Sequence, residues 1–176
     1  MNYKNTILGT ITVILGVAVF SLYFAPKKNL KRTVYLDKTV KILNYTNYSG
    51  LDTIINITAQ ILKIKNVKIV SVPLYVEDEE IYFAYIQEKE GYYLIRVNSK
   101  LSEDLLIESI CHELTHLAQE QSGQLKRLYY GFWYNGVVYP FYWPYFDREF
   151  ELRAFEMEFY LKYAVKDLLY TTSPLP

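Results

Sequence analysis

The chain has one cysteine, Cys111, which excludes both an internal disulfide framework and a cysteine-rich zinc knuckle. It also lacks net charge, because nineteen Lys and Arg balance nineteen Asp and Glu. With no basic excess there is no electrostatic footprint for a phosphate backbone, so nucleic acid is not expected as a partner. Internal repeats are absent, and no tract is compositionally biased apart from one aromatic stretch. Histidine is nearly as scarce as cysteine, with two in the chain, so a bound metal would have to be held by those two and by carboxylates. The 176 residues are 51% hydrophobic and 22% charged, a composition that suits one small folded domain rather than a disordered or tail-like chain.

Residues 7–25 (ILGTITVILGVAVFSLYFA) contain no charge. As a helix this run reaches roughly 28 Å, close to the ~30 Å of a bilayer core. It reads as a single-span membrane anchor over residues 1–26. A cleaved signal peptide is the alternative, with Pro26 directly after the run disfavouring cleavage. Lys27, Lys28, Lys31 and Arg32 outnumber Lys4 and the α-amine on the other flank, which places the remainder on the cytoplasmic side. The triplets Asn44-Tyr-Thr46, Asn47-Tyr-Ser49 and Asn56-Ile-Thr58 point the other way, as glycosylation acceptors of an external domain. The expected localisation is therefore a single-pass membrane protein whose orientation stays open, with a juxtamembrane segment over residues 27–50.

From residue 51 onward the pattern reads helix, small sheet, helix, helix. Residues 52–65 space Ile54, Ile55, Ile57, Ile61, Leu62 and Ile64 in helical steps. Three strand-like runs follow at 67–76, 81–87 and 92–97, separated by the acidic turn Glu77-Asp78-Glu79-Glu80 and by Glu90-Gly91, which predicts an antiparallel meander. Pro73 marks the first run as an edge or bulged strand. Ser102 is an N-cap candidate with Glu103 and Asp104 behind it, opening a helix with Leu105, Leu106, Ile110, Leu114, Leu117 and Ala118 on its apolar face and Gly123 as its stop. A last helix over 147–169 carries Phe150, Ala154, Met157, Leu161, Ala164 and Leu168 as one stripe.

The chemistry sits in the first of these two long helices. His112-Glu113-Leu114-Thr115-His116 puts two imidazoles one turn apart on one face, where both reach one metal ion. Glu113 is offset by about 100°, beside a metal-activated water whose proton it can accept as general base. Given two His and thirteen Glu in the chain, the pattern arises by chance in roughly one such sequence in 600, and it uses both histidines. A catalytic zinc needs a third protein ligand. It is not a histidine, for Gln119 and Ser122 stand where the long metzincin pattern has Gly and His. Cys111 is adjacent to His112 and turned away from it, so it reads as a small buried apolar residue. Among Glu149, Glu151, Glu156 and Glu158, Glu151 is the expected ligand because Ala154, one turn on, lets the helix approach closely; Glu149 is second, and Glu156 and Glu158 read as a solvated face.

These residues resemble the gluzincin metallopeptidases, in which a His-Glu-x-x-His helix is followed by a helix carrying Glu-x-x-Ala, here Glu151-Leu152-Arg153-Ala154. The element order is most similar to the compact minigluzincins. The resemblance spans residues 52–169 and implies an α+β fold: an N-terminal transmembrane helix, then a small zincin-like domain (51–176) of one helix, a three-stranded antiparallel sheet, the active-site helix and the ligand helix. It implies zinc held by His112, His116 and Glu151, Glu113 as general base, and a peptide or protein substrate paired with an edge strand at 92–97. The expected function is a membrane-anchored zinc metallopeptidase. The alternative is a membrane-tethered binding module with a structural, latent or self-inhibited zinc site.

Between the two motifs, residues 129–146 (YYGFWYNGVVYPFYWPYF) are aromatic at eleven of eighteen positions. They read as a cover over the core, a wall or lid over the cleft, or a bilayer contact. One of the tyrosines is suited to stabilising an oxyanion, without the sequence selecting it. Asp147, Arg148 and Arg153 lie near enough to Glu151 to orient it; for Arg148 ordinary surface pairing is the expectation, and for Arg153 both readings stay open.

Overall fold

Strand β1 (Val40–Asn44) alternates Val40 and Ile42, packed on the core, with exposed Lys41. Such a half-buried strip needs a partner, and it finds β2 (Val67–Leu74) in parallel register, Val40 opposite Val67. A parallel pair requires a crossover, supplied by helix α1 (Leu51–Ile61), which buries Leu51, Ile54, Ile55, Ile57, Thr58 and Ala59. The computed structural model describes residues 40–74 and 83–172.

Strands β3 (Ala84–Lys89) and β4 (Tyr92–Asn98) form a hairpin whose turn uses Gly91 at φ 77°, a left-handed conformation that costs glycine nothing. β4 also pairs in parallel with β2, so the sheet order is β1-β2-β4-β3. Pro73 lies past the last β1 pairing, Asn44 with Ser71, where β2 has a neighbour on one side only and a missing donor is tolerated.

Helix α2 (Glu103–Gln121) starts as expected: Ser102 Oγ accepts from the Leu105 N–H at 3.4 Å, and Glu103 and Asp104 fill the first turn. It packs on α1, on β3 and on the final helix α3 (Glu149–Thr172). The core between sheet and helices contains Ile55, Ile69, Ile95, Ile107, Ile110, Leu114, Leu117 and Val165. Cys111 belongs to this core, 3.8 Å from Thr58 Oγ1, and burial pushes its thiol pKa up to about 12. Native protein at pH 8 should therefore resist alkylation at Cys111, while unfolded chain reacts readily; equal labelling rates would show that this part of the core opens.

The first part of the aromatic stretch joins the residues just before it in a second sheet of β5 (Leu125–Leu128), β6 (Gly131–Tyr134) and β7 (Val137–Pro140). Asn135 and Gly136, at φ 46° and 95°, make the two-residue turn that Asn-Gly favours. Leu125, Tyr134, Tyr139 and Phe150 form a separate small core with Phe132 against it. Gly131 is crowded by β7, since a Cβ there would lie 2.2 Å from the Tyr139 carbonyl oxygen. Gly131→Ala should cost about 1–3 kcal/mol by overpacking, read as a lower urea midpoint, and an unchanged midpoint would mean that β6 and β7 can part.

Three expectations are corrected. The sheet is four-stranded and mixed, because residues 40–44, assigned from sequence to the juxtamembrane segment, add a parallel strand and because β2 pairs in parallel with β4. Residues 92–97 are not an edge: β4 lies between β2 and β3, and among the described residues the edges are β1 and β3, of which β3 borders the helix carrying His112 and His116. Finally, no helix among the described residues is long and apolar enough to cross a membrane. α2 and α3, with 19 and 24 residues, have the length but are studded with charge. A single-pass membrane protein is thus not supported. Residues 7–25, on which that expectation rested, and the acidic turn at 77–80 lie outside the described residues.

Candidate metal centre

Helix α2 presents His112 and His116 one turn apart on the face toward α3, and the first turn of α3 presents Glu151 to them. All three are buried, at 7%, 8% and 6% exposure. The closeness that Ala154 was expected to permit is observed, with Ala154 fully buried, whereas Glu149 is exposed. His112 Nε2 and His116 Nε2 are 3.1 Å apart, and Glu151 Oε2 lies 3.3 Å and 3.0 Å from them. The three residues lie close enough together to hold a metal ion.

The outer ring nitrogens determine what these inner atoms are. Gln119 Nε2 donates to the Phe150 carbonyl at 3.1 Å, which orients the amide so that its oxygen faces His116 Nδ1 at 3.0 Å. An oxygen only accepts, so His116 carries its proton on Nδ1 and turns a lone pair inward from Nε2. Glu158 Oε2 does the same for His112, accepting from Nδ1 at 2.9 Å. With both rings neutral, two imidazole lone pairs and a carboxylate oxygen converge at spacings that one cation could bridge. A carboxylate or amide oxygen behind each ligating imidazole is also the usual support of a metal-bound histidine.

Burial opposes a charge on His112, but hydrogen bonds to Glu151 and Glu158 outweigh it and raise its pKa to about 9. Burial would likewise raise Glu151; contacts with both histidines and with Tyr145 overcome this and hold it at about 2. Its place in the first turn of α3 adds the favourable end of the helix dipole. Glu113 stands apart from the triangle, with Oε2 accepting from the Ile86 N–H of edge strand β3 at 2.8 Å. Burial lifts its pKa above the ordinary carboxylate range, against the pull of the two histidines and of that N–H.

These groups open onto a cleft of about 630 Å³ between β3, α2, α3 and the aromatic segment, lined by Phe83, Tyr85, Leu105, Phe132, Phe146 and Phe155 among others. The aromatic segment is therefore both the cover of a small core and a wall of this cleft. It supplies Tyr145, in a 3₁₀ turn (Tyr145–Asp147), whose hydroxyl lies 3.3 Å from His112 Nε2. Arg148, just before α3, turns back to the segment's backbone, donating to the Phe141 and Trp143 carbonyls at 2.8–3.1 Å. The surface pairing expected of Arg148 is not what it does. Arg153 instead pairs with exposed Glu156 at 2.7 Å and does not touch Glu151.

Glu158, Gln119, Tyr145 and the Ile86 amide were not selected from sequence. Glu158 lies two helical turns from Glu151 on the same face, a spacing that could have marked it; Gln119 and Tyr145 carry no comparable signal. No protein-family model matches this chain, and no curated protein or solved structure is significantly similar to it.

Proposed function

We propose that this chain is a zinc-dependent peptidase of gluzincin type, with His112, His116 and Glu151 as the metal ligands and Glu113 as general base. The observation that carries this reading is the convergence of two imidazole nitrogens and a carboxylate oxygen, both histidines hydrogen-bonded from behind, next to a second, half-buried carboxylate, Glu113, that is not among them. Zinc suits two imidazoles and a carboxylate, and when bound it polarises a carbonyl and lowers the pKa of water. The raised pKa of Glu113 moves a carboxylate toward the range in which a base works near neutral pH. The Ile86 N–H holds that carboxylate on the cleft wall, so proton transfer starts from a fixed position. The outer side of β3, an edge among the described residues, suits an extended peptide beyond Ile86, whose N–H and carbonyl already meet Glu113 and Arg127; such a peptide would lay its side chains among the aromatic walls. The reverse reading, a folded binding module whose metal site is latent, is favoured by one observation, the Tyr145 hydroxyl beside the ligand atoms.

The test is elemental analysis of the purified protein. One zinc per chain is expected in wild type and in Glu149→Ala, and none in His116→Ala or Glu151→Ala. Zinc retained in Glu151→Ala would remove that residue from the set. Cleavage of an unfolded protein by the loaded chain, abolished by a chelator, would separate the peptidase from the latent module.

A further inference from the structure

The donor triangle has a neighbour at its own spacing. Tyr145 Oη lies 3.3 Å from His112 Nε2, with the Glu151 carboxylate beside it. Donors placed tetrahedrally around an ion at bond lengths of about 2.0–2.1 Å stand roughly 3.3 Å from one another. The separations among His112, His116 and Glu151 are 3.0–3.3 Å, and the tyrosine contact falls in the same range. We propose that Tyr145 is the fourth donor of this centre and closes it in the resting chain, so that a substrate or water must displace the phenol to gain access. This rests on the metal reading above and adds a ligand, and a closed state, that the three-residue motif does not contain.

The surroundings fit a ligand that is held yet able to leave. The turn bearing Tyr145 is anchored by the three Arg148 contacts to the Phe141 and Trp143 carbonyls, with the guanidinium 5.7 Å from the Tyr145 ring centre. Phe146 stacks on Phe155 of α3 at 5.9 Å and 24°, which pins the turn from its other end. Tyr145 itself is 42% exposed, so rotation about its side-chain bonds can withdraw the hydroxyl into the cleft mouth without unfolding the turn. On ligation the phenolic O–H bond breaks, its proton passes to solvent, and the oxygen's electron pair goes to the cation. Closed, four-donor centres are the structural kind and open ones the catalytic kind; a tyrosine that can swing converts one into the other.

The experiment uses the full chain loaded with Cu(II), because a phenolate on Cu(II) absorbs strongly in the visible through charge transfer and imidazole and carboxylate ligands do not. Wild type should bind one copper per chain and show the band. Tyr145→Phe should bind one copper without the band and should weaken zinc about tenfold or more in a competition titration. Tyr142→Phe, at a side chain 86% exposed, should match wild type in both. Identical spectra and zinc affinities for wild type and Tyr145→Phe, each with one copper, would overturn the fourth ligand and leave the three-donor centre standing. Failure of wild type to bind either metal, or binding unaffected by His116→Ala, would overturn the centre itself and the proposal with it.

Discussion

Glu113→Gln should retain one zinc per chain and lose hydrolysis by about 10²–10⁴-fold, the range general base catalysis contributes. The substitution is nearly isosteric, and either amide atom leaves the shape of the cleft wall intact. What it removes is the ability to take up a proton. It also perturbs one contact: the Ile86 N–H that Glu113 Oε2 now accepts at 2.8 Å can still be accepted by the glutamine oxygen. β3 should therefore stay in place, and the melting temperature of the loaded protein should change little. Metal retention distinguishes this variant from His116→Ala, in which the cation goes too. A Glu113→Gln protein that cleaves an unfolded substrate at the wild-type rate would dispose of the base and, with it, of the reason for reading the raised pKa of Glu113 as functional. A variant that loses zinc would instead place Glu113 among the ligands, against the geometry in which it faces β3.

How much of this could be read in advance depends on the kind of signal. The two long helices were legible because periodicity, an N-cap serine and acidic first turns agree locally; the structure starts α2 at Glu103 and α3 at Glu149. The close approach of His112, His116 and Glu151 was legible for a related reason. His112 and His116 are fixed relative to each other by helix geometry alone, and the Glu151-to-Ala154 spacing reports how closely a second helix can come.

What was missed depends on contacts between segments distant in sequence. Residues 40–44 look like part of a polar stretch until Val67 to Ser71 arrives beside them. β4 becomes central only because β2 joins it from the far side. The second sheet was nevertheless announced by Asn135-Gly136 between two short aromatic and β-branched runs, a hairpin signal that the weight of aromatic residues obscured. Gln119 shows the limit most clearly: in the sequence it is only a departure from the metzincin pattern, and its part in fixing the His116 tautomer exists solely through the Phe150 carbonyl, 31 positions away.

The same geometry sets how the metal-free protein should respond to pH. With the cation gone, a proton on His112 links it to the Glu151 carboxylate, beside the Tyr145 hydroxyl. Its folded pKa of about 9 exceeds the ~6.5 of an unfolded histidine. A group so raised contributes stability that is fully present below pH ~6.5 and is lost as pH rises through about 9. Glu151 runs the other way: held at about 2 against ~4.3 unfolded, it contributes stability above that value that disappears as pH falls toward 2. The apo chain should thus be most stable near pH 5–6 and weaken on both sides, by up to a few kcal/mol on the alkaline side if the His112 contribution is fully expressed. The metal changes the sign of the alkaline limb. Because it must displace the His112 proton, its affinity should rise up to tenfold per pH unit until about pH 9, and a tighter ligand adds stability in proportion to the logarithm of its excess over Kd. Thermal melts from pH 5 to 9, with chelator and with added zinc, should diverge as pH rises, the apo curve falling while the loaded one holds or climbs. Parallel curves would mean that His112 does not exchange a proton for the metal, and the convergent acceptor triangle would then need another explanation.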